Sequence, residues 1–298
     1  MDLKSKNYKK LIIWTSSFFP NFGGLESAVH EYYNYFSIKG WGIEVITNRN
    51  PFRLSSLEII DGIVINRFRF FHSPSNYFVN YRFDLILLWI IYKIYTIFNL
   101  LVFFNNRKPS IVNLHFPDHQ LFEILVLKFI FNFKLIVSLH GNEVMRLKDF
   151  NKYSIKYLFY LVLFKKSKYI TGCSKYLIKE IRNIFPNIKE NKFKVIYNGV
   201  KKIYHSENRN VAKNDFIFSA MRIVPSKGID LLIDSLELLK FKNGLYLAGG
   251  EKSEILDFLS RKKINLEIKY LGKLKPELML GYLNSTMDVT DTNSTAIT

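Results

Sequence analysis

The stretch RIVPSKGIDLLIDSL sets an arginine and a lysine, Arg222 and Lys227, five positions apart around a proline. Behind them Ile229, Leu232, Ile233, Leu236 and Leu239 are spaced as one face of a helix. Ahead of them DFIFSAM has the character of a short strand. Two cations in a loop that leaves a strand and enters a helix suit an anion, above all a phosphate, because the free N–H groups of the helix start point the same way. The same spacing also describes two solvated charges on a surface loop. In FFPNFGGLES, Gly23 and Gly24 fall between a strand and a helix, where glycine lets the backbone approach a ligand closely or simply makes a tight turn. This is not the GxGxxG pattern of dinucleotide binders, which argues against a nicotinamide enzyme. In LIVSLHGNEV, His140 closes a strand and is followed by Gly141. A histidine so placed can orient a substrate hydroxyl or stabilise developing charge, or be satisfied within its own loop. His115, Asp118 and His119 in LHFPDHQ look superficially like metal ligands, but Pro117 keeps the two histidines off a common helix face and no further ligand is evident. No metal is expected. Neither a serine elbow nor a cysteine–histidine pair is present, and Cys173 reads as a small buried residue.

The elements that must position these groups alternate along the chain. LIIWTSSFF reads as a strand, GLESAVHEYYNYFSIKG as a helix stopped by Gly40, GIEVITN as a strand, and LEIIDGIVINRFRF as a hairpin or a strand with a turn at Asp61-Gly62. After a long aromatic helix come SIVNLH, a helix around Phe122 to Phe131, the strand FKLIVSLH, further helical sequence, KYITGCS, a helix from Lys175 to about Ile184, and FKVIYNGV. The polar stretch KKIYHSENRNVAKND then marks a seam, after which strand and helix patterns restart through FIFSAM, GLYLAG and LEIKYLG. Two successive runs of this kind indicate an α/β protein with two parallel-sheet domains of Rossmann type. The expected division is residues 1–200, a linker at 201–214, and residues 215–298. In such sheets ligands bind beyond the carboxyl ends of the strands, where Gly23, Gly24, His140, Arg222 and Lys227 all fall.

The chain of 298 residues carries 43 Lys+Arg against 25 Asp+Glu, a formal net charge of +18, so an anionic partner is expected. No zinc-finger, RNA-recognition or helix-turn-helix signature accompanies that charge, which disfavours nucleic acid. One cysteine leaves no internal disulfide and suits a reducing cytoplasm. No secretory signal opens the chain. The run FDLILLWIIYKIYTIFNLLVFF, Phe83 to Phe104, is about long enough to span a bilayer, yet contains Asp84, Lys93 and Asn99. A buried or interfacial helix is the expectation. With LFEILVLKFIFNFK and YLFYLVLFKK, which also set aromatics beside lysine, it suggests peripheral binding to an anionic membrane surface.

In order, PNFGGLES, SLHGNE, VIYNGV, RIVPSKGIDLLIDSL, LYLAGG and IKYLGKL resemble the family 4 glycosyltransferases over nearly the whole chain. The resemblance implies a retaining enzyme of GT-B fold, with two facing Rossmann-like domains, the first binding acceptor and the second a nucleotide sugar. It implies that Gly23 and Gly24 approach the donor diphosphate and the reacting sugar, that His140 contacts the donor sugar, that Arg222 and Lys227 grip the diphosphate, and that Leu274 lies where the base is contacted. It implies no metal cofactor, a hexose-type donor, and a lipid-linked or polysaccharide acceptor in bacterial surface polysaccharide synthesis at the inner face of the cell membrane. Met221 departs from the glycine usual before the arginine. The second domain shows three recognisable strands, and TDTNSTAIT follows MDV where the family carries a Glu-x7-Glu motif. The expectation is therefore an incomplete second domain with an unpaired sheet edge, and a truncated chain with little activity of its own. The alternative is a non-catalytic, membrane-associated remnant or binding protein of the same fold.

Overall fold

In the computed structural model, residues 10–21, 23–71, 82–152, 154–199, 214–224, 227–260 and 266–289 are described. The chain divides into two compact units, Met1–Gly199 and Val200–Thr298. The stretch expected to be a linker lies outside the described residues except for Asn214, which already begins a strand.

The first unit is built on an eight-stranded sheet. In chain order its elements are β1 (Lys10–Thr15), α1 (Gly24–Ile38), β2 (Gly42–Asn48), β3 (Leu57–Ile60), β4 (Ile63–Phe68), α2 (Phe83–Arg107), β5 (Ile111–His115), α3 (Leu121–Ile130), β6 (Lys134–Leu139), α4 (Asn142–Lys148), α5 (Ile155–Lys166), β7 (Tyr169–Gly172), α6 (Lys175–Ile184) and β8 (Phe193–Val195). The strand order is β3-β4-β2-β1-β5-β6-β7-β8. All neighbours are parallel except the β3–β4 hairpin, whose two turn residues, Asp61 and Gly62, both have positive φ, as a tight two-residue hairpin turn requires. Alternation along β1 divides the core: Leu11 and Ile13 join Val29 and Tyr33 of α1 on one face, while Ile12 and Trp14 join Leu100 and Phe104 of α2 and the apolar sides of α3, α5 and α6 on the other. Ser154 and Ser174 cap α5 and α6 by accepting hydrogen bonds from Tyr157 N–H and Leu177 N–H.

The second unit comprises β9 (Asn214–Ala220), α7 (Ile229–Leu238), β10 (Leu245–Ala248), α8 (Lys252–Ser260), β11 (Ile268–Tyr270), α9 (Pro276–Ser285) and β12 (Thr286–Val289). Its sheet runs β11-β10-β9-β12, all parallel. This adds a fourth strand to the three expected, and β11 and β12 are the edges of the described sheet. Residues as few as TMDV carry no periodicity to read, but they pair with Asn214, Ile217 and Phe218 and so place β9 in the interior of the sheet. Four of the five residues that the spacing indicated for the apolar face of α7 are buried, Ile229, Leu232, Ile233 and Leu236 packing on Leu245 and Leu247, whereas Leu239, just past the end of the helix, is exposed.

Candidate functional site

In the first unit the sequence-indicated residues gather at one edge of the sheet. β1, β5 and β6 are adjacent and parallel, so the loop bearing Gly23 and Gly24, the end of β5 at His115, and His140 just beyond β6 open on the same carboxyl side. Gly23 is the extended residue before α1, and a Cβ added to it would meet the Glu26 carboxylate at 2.9 Å, whereas one on Gly24 would meet nothing within 4 Å. The loop is held from below by the buried Arg67, which donates to the Phe19 carbonyl at 2.7 Å and to the Ser55 carbonyl at 3.2 Å, and pairs with Glu58 at 2.6 Å.

His140 is positioned from three sides. Gly141, at φ 128°, turns the chain from β6 into α4, and the buried Glu143 reaches back to accept the His140 backbone N–H. His115, fully buried, stacks on the His140 ring with centroids 5.3 Å apart, and its Nδ1 lies 3.0 Å from His140 Nε2. Tyr32 of α1 covers His115 from the other side, its ring centroid at 5.5 Å. Burial holds the pKa of His140 down to about 4, and burial with the neighbouring ring holds that of His115 well below the usual histidine range. Both rings are therefore neutral at physiological pH.

Two neutral imidazoles share one hydrogen across the 3.0 Å contact. The other nitrogen of His115, Nε2, is buried with no hydrogen-bond partner among the described residues. Were His140 the donor, that Nε2 would carry an unmet N–H, a rarer state in folded proteins than an under-satisfied acceptor. The network therefore assigns the hydrogen to His115 Nδ1, leaving only a lone pair at the orphaned position. His140 then accepts at Nε2 and carries its own hydrogen at Nδ1, so it offers a fixed donor rather than a base. In the sequence His115 stands at a strand end and in a doubtful set of metal ligands, and its partner across the strands is invisible there. Glu143 was detectable in part, since a carboxylate three residues after a strand end matches the back-reaching member of a helix-start box.

Asp118 pairs instead with Arg146 at 3.1 Å, Lys156 at 3.2 Å and His119 at 3.6 Å. Burial alone would raise its pKa, but the electrostatic interactions with His119, Lys156 and Arg146 together outweigh it and the net shift is downward. The group ties the end of β5 to α4 and α5, and Tyr160 reinforces it by donating to the Pro117 carbonyl. Among the described residues no set of three His, Cys, Asp or Glu side chains is placed to hold a metal ion. Cys173 is partly buried and its thiol faces the His140 carbonyl at 3.8 Å.

In the second unit Arg222 and Lys227 stand at the carboxyl end of β9, Arg222 exposed and Lys227 half-buried, before Gly228 leads into α7. The loop is seated on Gly249 and Gly250 at the end of β10. A Cβ on Gly249, at φ 97°, would lie 2.5 Å from the Met221 carbonyl oxygen, so glycine is required for the two backbones to approach. Met221 N–H donates to the Ala248 carbonyl at 2.9 Å, and Gly249 N–H to that of Gly272 at 2.8 Å. The Met221 side chain packs into the core with Ile223 and Ile229, so it does not occupy the loop's outer surface. Leu274, just beyond β11, packs against the cluster of Phe216, Phe218 and Ala248.

Two α/β units with parallel sheets and polar groups at their strand ends define the GT-B class of fold. The model of Glycosyltransferase Family 4 matches residues 22–202, more than half of the chain, and the chain belongs to that family. An uncharacterized glycosyltransferase of Methanocaldococcus jannaschii is 31% identical over 144 residues, which span 46% of this chain and 36% of the relative's length. Beyond residue 202 the likeness is to solved structures and shows the fold. Sucrose-phosphate synthase from Thermosynechococcus elongatus superposes with a TM-score of 0.66 at 10% identity, covering 95% of this chain and 75% of that one. The catalytic domain of starch synthase IV from Arabidopsis thaliana, bound to ADP and acarbose, gives 0.57 at 12% identity over 95% and 78%.

Proposed function

We propose that this protein is a retaining glycosyltransferase that moves a hexose-type sugar from a nucleoside-diphosphate sugar to a lipid-linked or polysaccharide acceptor in surface polysaccharide synthesis, at the cytoplasmic face of the membrane. The observation that carries this reading is that, within a family 4 chain, the first unit sets a neutral His140 against His115 just beyond β6 and the second unit sets Arg222 and Lys227 at the carboxyl end of β9. ADP in the starch synthase neighbour supports a nucleoside diphosphate as the donor's leaving group. When the bond between the sugar and the diphosphate breaks, negative charge grows on the phosphate oxygens. Arg222 can meet it bidentately and Lys227 as a point charge, both more strongly in the transition state than before it. His140, donating from Nδ1, would hold a hydroxyl of the donor sugar without taking its proton. Gly23 and Gly24 would admit the donor close to the backbone, and Leu274 would bound the base. With the diphosphate charge met by side chains, the reading assigns no resident metal, and turnover that survives a chelator checks that point.

The test is calorimetric titration of a nucleoside diphosphate and its sugars into the full chain. Arg222→Ala is expected to weaken the diphosphate by about 10- to 100-fold, the size of a lost charge-assisted contact. Equal affinity in Arg222→Ala and Lys227→Ala would sink the assignment. Tight, Arg222-dependent binding with no sugar transferred to any lipid or glycan acceptor would favour a binding protein of the same fold.

A further inference from the structure

α2 is long and apolar enough to cross a membrane, yet it lies along the first unit with one side buried and the other bare. Ile86, Leu100 and Phe104 turn inward, as do Lys93 and Thr96. Lys93 is ion-paired with the buried Glu123 of α3, and Thr96 donates to the Arg69 carbonyl at 3.0 Å. Lys93 and Thr96, two of the polar residues within the apolar run, are thus engaged by the protein. Pulling α2 into a spanning position would leave Glu123 buried and unpaired and would set Lys93 in hydrocarbon, so α2 lies along the fold.

The opposite side forms a stripe at helical spacing: Leu87, Ile91, Ile94 and Phe98 are 60%, 52%, 63% and 63% exposed. It does not end with α2. The next helices of the same layer continue it through Phe129 of α3, 86% exposed, and Leu158 of α5, with Phe122 and Phe159 bridging α3 and α5 at 6.2 Å between rings. Exposed apolar surface on three adjacent helices marks an interaction site.

Charge selects the partner. The three helices hold two carboxylates, Asp84 and Glu123, both ion-paired, and six lysines and arginines, of which Lys93, Arg107 and Lys156 pair with Glu123, Glu44 and Asp118. The other three stand at the carboxyl ends of α3 and α5: Lys165 and Lys166 are exposed, and Lys128 donates to the Phe133 carbonyl at 2.5 Å, its pKa lowered by burial and by the Lys166 charge. Lysines at helix ends complement the helix dipole, but cations crowded against one another beside bare aromatics also call for an external anion. A second copy of this chain would bring lysine against lysine.

We propose that the outer face of α2, α3 and α5 is the surface by which this protein docks on a bilayer containing anionic phospholipid, apolar side chains entering the acyl boundary and Lys128, Lys165 and Lys166 meeting headgroup phosphates. This names the membrane partner of the acceptor reading above, and rests on that reading only for the docking's biological purpose.

Co-sedimentation of the full chain with phosphatidylcholine vesicles, and with vesicles holding roughly one-third phosphatidylglycerol, tests it without any nucleotide sugar present. Binding is expected to the anionic vesicles only. Ile94→Glu/Phe98→Glu should abolish it with the circular dichroism spectrum intact, and Lys165→Gln/Lys166→Gln should weaken it about 10- to 30-fold. Equal binding by wild type and both variants overturns the proposal. So does resistance to alkaline extraction, which means a spanning helix, or a lipid-free dimer that Phe98→Glu separates while no vesicle is bound. Because no donor takes part, a chain that docks but binds no nucleotide refutes the enzyme reading and leaves this face standing, and the converse result does the opposite.

Discussion

At the scale of single residues, the His115–His140 pair is the most constrained feature of the site. Burial drives both rings neutral, and the orphaned Nε2 of His115 decides which nitrogen carries the hydrogen. His115 is accordingly a positioning residue that acts through His140. His115→Gln is expected to lower the rate of sugar transfer about 10-fold with donor KM nearly unchanged, and to remove the Nδ1–H signature of His140 from nitrogen-resolved NMR spectra. A variant that keeps that signature would show that His115 merely fills space. The same burial ties stability to pH. Unfolded, His140 takes a proton near the ordinary histidine value of 6.5, but folded only near 4. Between these limits the unfolded chain binds more protons, so stability falls as pH falls. Relative to His140→Asn, the wild-type chain should lose about 2 kcal/mol of unfolding free energy from pH 7 to pH 5. Glu143, whose pKa burial raises, contributes in the opposite sense, which is why the comparison with the variant is the informative one.

At the scale of elements, a buried ion pair helps to hold α2 in place beside the apolar contacts of Leu100 and Phe104. Glu123 is fully buried, and burial raises its pKa even with the Lys93 ammonium against it. Removing one partner strands the other. Lys93→Met should cost about 3–5 kcal/mol, whereas Lys93→Met/Glu123→Leu should recover most of that, because a matched apolar pair carries no desolvation cost. Urea denaturation of the two variants decides it: a single variant no worse than the double one would mean that the pair does not anchor α2. Much of this was legible beforehand. The spacing of Leu232, Ile233 and Leu236 marked the buried face of α7, and Asp61-Gly62 marked the hairpin. β12 was not legible, because a four-residue strand is defined by what it pairs with and not by its own pattern.

At the scale of the whole molecule, the net charge of +18 acts on every anion the chain meets. Nucleic acid is expected to adsorb weakly at low salt and to be lost between roughly 50 and 200 mM, because counterion release carries that interaction. Donor binding through Arg222 and Lys227 should persist over the same range, since it rests on directed contacts rather than the general field. Parallel salt titrations with a single-stranded oligonucleotide and a nucleoside diphosphate test this. Oligonucleotide binding that outlasts nucleotide binding would return nucleic acid to consideration.

By itself the amino-acid sequence determined the α/β class, the order of the strands and helices, the glycines and cations at the loop ends, and the family to which the motifs belong. These follow from local periodicity and from residue types whose conformational and charge properties do not depend on distant partners. Only the tertiary structure decided that His115 lies against His140, that Gly249 is glycine because the Met221 carbonyl passes over it, and that the long apolar helix turns Lys93 inward and Ile91 and Ile94 outward. Each of those facts is a distance between residues 25 or more positions apart in the chain, and a one-dimensional pattern carries no information about which strand or helix will lie beside it.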